Sequence, residues 1–402
     1  MTAPLPPAPR ILALDALRGI AVIGIVWMNV HAFALPGPAY YNPLSYGATG
    51  DADYRVWLGS FVFIEDKFRT LFAMLFGAGS LILIERGGEK PWRAHYARMI
   101  VLFAIGLVHA TLLASNDVLR AYALAGLALP LLAGLSARAL VAVSVGLLVV
   151  HVALGMVALG GGMVDLFSAR QGSDALMWAA RQFGRDPAAI TMLLEQGREG
   201  LDERVIRRTL GIPAQMATLV ASLPLNLAAI ALGMGLWRGG MLKGEWRTFH
   251  LQRLAGFAGL VAIPALLGLA GWLVATGFAA ALVGPVALVI SAPFDTLLGV
   301  AYAALAMAFL TKDNAVTRTL AAVGWLSLTN YLMTSVILAS IFAPWGLGLF
   351  GEVTRTQAFG LSFVPIIAML LWSPPWVAKV GQGPFERLWR SGARALSYTR
   401  KT

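Results

Sequence analysis

Residues 14–33, LDALRGIAVIGIVWMNVHAF, carry the reading on which the rest depends. The stretch from Gly19 to Met28 holds no charge and no amide. A helix on the surface of a soluble protein keeps its apolar residues to one stripe, whereas here they run all the way round, as a helix in hydrocarbon requires. Similar charge-poor runs of about 20 residues, the length that spans a bilayer, recur to the C-terminus. Of 402 residues 58% are hydrophobic and 13% charged, against roughly 25% charged in ordinary globular domains. That excludes a soluble enzyme and a disordered chain. The runs are continuous and do not alternate, so an outer-membrane barrel is excluded too. The fold class is all-α, a polytopic membrane helical bundle.

Spans are expected near 17–36, 57–84, 97–115, 118–135, 139–160, 211–237, 253–276, 294–311, 319–342 and 357–378, ten in all. The apolar stretch 279–293 is short and broken by Pro285 and Pro293, and reads as a re-entrant piece or a bent extension of its neighbour. With the N-terminus inside, 19 Lys and Arg fall on the inner side and 10 on the outer side, seven of these in the single long loop 161–209. By the positive-inside rule both termini are cytoplasmic. Asp15 and Arg18 precede the first run and no small-residue cleavage site follows it, so it is retained as a span and the Pro-rich residues 1–10 form an extended tail. The chain reads as one membrane domain, 1–402. An external segment at 161–210 interleaves Phe167, Trp178 and Phe183 with arginines, and either lies amphipathically over an opening or simply connects. The tail 379–402 reads as a basic interfacial helix anchored by Trp389 and Tyr398.

The net charge of +11 is explained by anionic headgroups, and no nucleic-acid motif is present. There are no cysteines, and the five histidines lack metal-ligand spacing, so thiol chemistry and a metal site have no support.

Polar groups inside spans are costly and therefore informative. Arg18 and Asn29, eleven residues apart, share one face of the first span roughly 16 Å apart along its axis. Asp15 can pair with Arg18, which leaves an interfacial anchor as the simpler reading. Glu65, Asp66, Lys67 and Arg69 crowd the start of the second run, where Glu65 and Arg69 have pairing spacing. His109 stands two turns before Asp117, at a depth comparable to Asn29 and His31. A carboxylate beside a histidine orients the ring and stabilises its charged form, which suits a base or nucleophile. A satisfied membrane histidine and a loop cap are the bland alternative, and Asp117 with Arg120 can equally be a surface pair. Ser327, Asn330 and Thr334 form a stripe beside Tyr331 that suits interhelical hydrogen bonds, with a ligand role as the other reading. Asp295 reads as a helix-start residue.

Together LDALRGIAVIGIVWMN (14–29), DKFRTLFAMLFGAG (66–79), GLVHATLLASNDVLRAYALAG (106–126), LSLTNYL (326–332) and GPFERLWR (383–390) resemble the YeiB-type family of bacterial multi-pass membrane proteins. The LDxxRG opening is similar to that of the wider transmembrane acyltransferase superfamily, which includes heparan-α-glucosaminide N-acetyltransferase. That resemblance implies transfer of an acyl group from cytosolic acyl-CoA, acetyl-CoA in particular, to a saccharide, small-molecule or lipid-linked acceptor across the membrane. It also implies a homodimer. On this reading Arg18 and Lys67 bind the donor, His109 and Asp117 carry the chemistry, and Asn29 donates to the oxyanion. Asn330, Tyr331 and His31 are further site candidates. The heparan-type enzymes place their histidine about a dozen residues beyond the asparagine, where this chain has Tyr40 and Tyr41. The competing reading is a transporter or flippase for an anionic small molecule or lipid, with a non-catalytic scaffold as the third.

Overall fold

A computed structural model describes residues 12–48, 50–86 and 91–397. Among them there are helices and turns but no strand. The chain begins with α1 (Leu12–Ala34), α2 (Gly37–Tyr41), α3 (Asp51–Phe63), α4 (Lys67–Glu85), α5 (Pro91–Leu112), α6 (Val118–Gly126), α7 (Leu129–Leu132) and α8 (Ala137–Phe167). Three short helices follow, α9 (Asp174–Phe183), α10 (Pro187–Gly197) and α11 (Leu201–Leu210). Next come α12 (Ile212–Ala221), α13 (Leu223–Arg238), α14 (Thr248–Ala275), α15 (Ala280–Pro285) and α16 (Ala292–Phe309). The remainder is α17 (Ala315–Trp325), α18 (Ser327–Phe342), α19 (Arg355–Leu361), α20 (Phe363–Lys379) and α21 (Pro384–Ser397).

Seven helical segments are long and apolar enough to cross a membrane, or nine if the bent pairs α12–α13 (50°) and α17–α18 (81°) each count once. The shortfall from ten lies at 118–135. That stretch folds as α6 and α7, separated by a turn at Leu127–Ala128, so neither helix reaches bilayer length. Residues 279–293 form no bilayer-length helix of their own: α15 ends at Pro285, a π-helix, Val286–Ile290, follows, and α16 starts at Ala292. Residues 1–10 and Tyr398 lie outside the described residues.

Side-chain contacts fix which chain ends meet. Arg238 at the close of α13 pairs with Glu85 at the close of α4 (3.1 Å) and donates to the carbonyls of Ala133 and Leu135. Trp389 of α21 donates to the Arg98 carbonyl (2.9 Å), and Trp325 to that of Gly381 (2.6 Å). The start of α1 and the whole of α21 therefore share one end of the bundle. Two interfaces bring backbones together where only glycine fits: a Cβ at Gly233 would overlap the Met74 carbonyl, and one at Gly324 the Asp15 carbonyl. Val149 and Val157 of α8 and Phe257 and Leu260 of α14 are left uncovered, as lipid-facing side chains are.

The GPFERLWR segment has a structural role. Glu386 accepts the backbone N–H groups of Leu328 (2.9 Å) and Thr329 (3.0 Å) and the Thr329 hydroxyl, and so caps the N-terminus of α18. Trp389 ties the same segment to α5 through the Arg98 carbonyl.

Candidate active site

Helix α5 ends one turn after His109, and the next two N–H groups, of Leu113 and Ala114, both fold back onto the His109 carbonyl. The chain then reverses, and Asp117 becomes the N-cap of α6 by accepting the Arg120 N–H at Oδ2 (2.9 Å). This tight hairpin lays the Asp117 carboxylate on the last turn of α5. Gly106 makes room for it, since a Cβ there would stand 2.5 Å from Asp117 Oδ2.

Asp117 Oδ1 lies 2.8 Å from His109 Nδ1. The same oxygen accepts the Tyr331 hydroxyl from α18 at 3.2 Å, and the His109 and Tyr331 rings lie 5.2 Å apart. Arg120 Nε stands 3.8 Å from Oδ2, while its Nη groups donate to Gln215 and to the Ser115 carbonyl, both at 2.8 Å. All four residues are buried. An ionised carboxylate can only accept, so His109 Nδ1 carries a proton, and in the neutral ring Nε2 presents its lone pair. That Nε2 is buried and has no partner among the described residues. Histidine, carboxylate and hydroxyl thus form a chain that ends in one unused basic nitrogen.

A second polar cluster sits where two helices break. Asp66 adopts a left-handed conformation (φ 59°) between α3 and α4, and the π-helix precedes α16. Lys67 meets Asp295 at 2.6 Å, with both side chains buried, and also donates to the Phe61 carbonyl. Arg69 pairs with Asp66 (2.6 Å) and donates to Asn226 (3.0 Å). The expected Glu65–Arg69 pair does not form. The break at Asp66 takes Glu65 out of helical register, and among the described residues Glu65 Oε1 is buried without a partner. A cavity of about 60 Å³ opens among Tyr40, Tyr41, Glu65, Lys67 and Asp295.

The other sequence candidates separate. Arg18 pairs with Asp15 (2.9 Å) at the α21 end of the bundle, its side chain 25% exposed. Asn29 is half-buried with no side-chain partner among the described residues. His31 Nε2 lies 3.4 Å from the Arg355 carbonyl. Asn330 donates to the Val323 carbonyl (3.0 Å) and Ser373 (3.1 Å) and accepts from Trp372 (2.9 Å), which makes it an interhelical tie. Among the described residues no hydrogen bond or ion pair joins Arg18, Asn29 or Lys67 to the His109–Asp117 pair. Arg120 and Asp295 are brought into polar clusters that sequence reading treated as surface pairing and helix start. Their signal was only that each is a charge flanked by apolar residues.

The profile of a family described as "Protein of unknown function (DUF418)" matches residues 236–395. "Uncharacterized protein YeiB" of Escherichia coli (strain K12) is 33% identical over 392 residues, 95% of each chain. "Uncharacterized protein YxaH" of Bacillus subtilis (strain 168) is 27% identical over 399 residues, 95% of this chain and 94% of its own. A 39.9 kDa protein from the amylase 3′ region of Bacillus acidopullulyticus is 34% identical over 122 residues, 29% of this chain and 32% of its own. No solved structure matches.

Proposed function

We propose, on the premise that this chain belongs to the YeiB-type family, that it transfers an acyl group from acyl-CoA to a hydroxyl or amine acceptor across a membrane. The supporting observation is the state of His109: Nδ1 is held by Asp117 at 2.8 Å, while Nε2 is buried and unpartnered among the described residues. In the reaction Nε2 takes the proton of the acceptor O–H or N–H, and the freed electron pair attacks the thioester carbon. The C–S bond then breaks, and the CoA thiolate leaves and recovers the proton from the imidazolium. Asp117 stabilises the imidazolium, and Tyr331 with the Arg120 N–H fixes the carboxylate. Asn29 supplies an amide donor for the oxyanion, and Arg18 a cation for a CoA phosphate at the opposite end. Lys67, closed in its pair with Asp295, takes no part in this reading. The end carrying Arg18 and α21 is assigned to the cytoplasm on the charge asymmetry, with acetyl-CoA as the donor.

The test is thermal stabilisation of the purified protein by a panel of acyl-CoAs, with release of free CoA thiol measured in parallel. Stabilisation is expected in the wild type and in His109→Ala but not in Arg18→Ala, and thiol release is expected to vanish in His109→Ala. No stabilisation by any acyl-CoA at saturation refutes the reading. One observation favours transport of an anionic solute or lipid instead: two interrupted helices facing each other around a buried Lys67–Asp295 pair, an arrangement transporters use. Solute-dependent flux in proteoliposomes without thiol release would establish it.

A further inference from the structure

At the end of the bundle remote from α21, a cavity of about 200 Å³ lies directly beyond the His109 turn. Its wall includes Leu113–Asn116, the link between His109 and Asp117, together with the close of α18 and three arginines of α11. Arg204 is buried and donates to the Gly197 carbonyl (3.0 Å). Arg207 holds both Glu199 oxygens at 2.8 Å. Arg208 reaches the Ala110 and Thr111 carbonyls, each 3.4 Å away, on the last turn of α5 just after His109. Among the described residues Arg207 alone of the three pairs with a carboxylate, and no acidic side chain lines the cavity. Burial and the charges of Arg204 and Arg207 pull Arg208 down to about 10, so it remains charged at neutral pH while the cluster stays short of negative charge. Burying like charges around an opening is costly unless an anion completes it.

We infer that this cavity binds a phosphate group and that, on the acyltransferase reading above, it selects a phosphorylated acceptor and presents its hydroxyl or amine to His109 Nε2. Two sources carry that group, an anionic lipid headgroup and a water-soluble phosphate ester.

The experiment measures thermal stabilisation of the full chain by inorganic phosphate at constant ionic strength, against chloride. The variants are Arg208→Gln, Arg208→Lys and, as a control on the same external segment, Arg198→Gln, whose exposed side chain pairs with Glu352. Phosphate is expected to stabilise the wild type and Arg198→Gln, with apparent affinity at least tenfold weaker in Arg208→Gln and partly restored in Arg208→Lys. A second arm compares nanodiscs of phosphatidylcholine with and without phosphatidylglycerol. Loss of the added phosphate effect only when phosphatidylglycerol is present identifies a lipid headgroup as the occupant, and its persistence in both identifies a soluble ester. Equal phosphate response in wild type and Arg208→Gln, or none from phosphate or phosphatidylglycerol, overturns the inference. So does acyl-CoA stabilisation that is lost in Arg208→Gln but kept in Arg18→Ala, which would give the cavity to the donor. Phosphate binding without any acyl-CoA binding leaves the phosphate site standing and removes the acyltransferase reading and the acceptor role with it.

Discussion

Replacing Asp117 by asparagine keeps the shape of the side chain and removes its charge. In the wild type Oδ1 accepts from His109 and Tyr331 and Oδ2 from the Arg120 N–H. An amide has one accepting oxygen, so its NH₂ must face either the first two donors or the third. Either choice strands at least one buried donor, at about 1–3 kcal/mol. It also leaves the Arg120 guanidinium without its carboxylate, and breaking a buried ion pair costs about 3–5 kcal/mol. Arg120 keeps Gln215 and the Ser115 carbonyl, which places the expected total near the lower figure, about 3 kcal/mol. The assay is SDS-induced unfolding in mixed micelles, combined with Tyr331→Phe in a double-mutant cycle. Tyr331→Phe alone removes one of three donors and should cost about 0.5–1.5 kcal/mol. Because both residues act on one oxygen, their effects should depart from additivity by more than about 0.5 kcal/mol. Nitrogen NMR of the His109 ring should show a protonated Nδ1 in the wild type and a mixed tautomer in Asp117→Asn. A cost under about 1 kcal/mol, additive with Tyr331→Phe and with the tautomer unchanged, would refute the network.

Gly106→Ala pushes a methyl group to 2.5 Å from the Asp117 carboxylate, so the same titration should report about 1–3 kcal/mol lost, together with thiol release. Lys67→Met and Asp295→Leu should each destabilise by about 3–5 kcal/mol, whereas the double variant returns close to wild type, because removing both buried charges removes the unpaired one. Arg208 has a folded value near 10, below its ordinary 12.5, so the unfolded chain binds the proton more tightly. Stability should therefore rise with pH from about 10 upward relative to Arg208→Gln, and phosphate binding should weaken over the same rise, both readable from thermal unfolding at pH 8 to 11.

The helical class and most crossings were legible because hydrophobic run length is a direct physical requirement of the bilayer. The exception, 118–135, has the composition of a span and not its continuity, since local turns at Leu127–Ala128 are invisible to a hydropathy average. His109 and Asp117 could be paired from sequence because a hairpin of known shape brings residues eight positions apart together. Tyr331, more than two hundred positions away, could be placed only on a polar stripe, because which helix faces which is set by packing. Glu65 and Arg69 were misread for the opposite reason: the i, i+4 rule holds inside a continuous helix, and the left-handed Asp66 interrupts it. The three arginines of α11 carry no signal of their own in a segment that reads as either an amphipathic cover or a connector, and only the fold turns them toward one opening.

The Glu386 cap bears on how this chain can be shortened. A protein ending at residue 383 would keep every membrane-crossing helix, and a hydropathy plot would pass it as intact. It would lack the carboxylate that holds the first turn of α18, and Tyr331 lies only two residues beyond Thr329 on that helix. The far end of the same helix supplies Phe342 to the wall of the arginine cavity. Deleting α21 should thus be felt inside the membrane and at the opposite surface, so purification tags belong after residue 397, and loss of function in a tail deletion says nothing by itself about a binding partner for the tail.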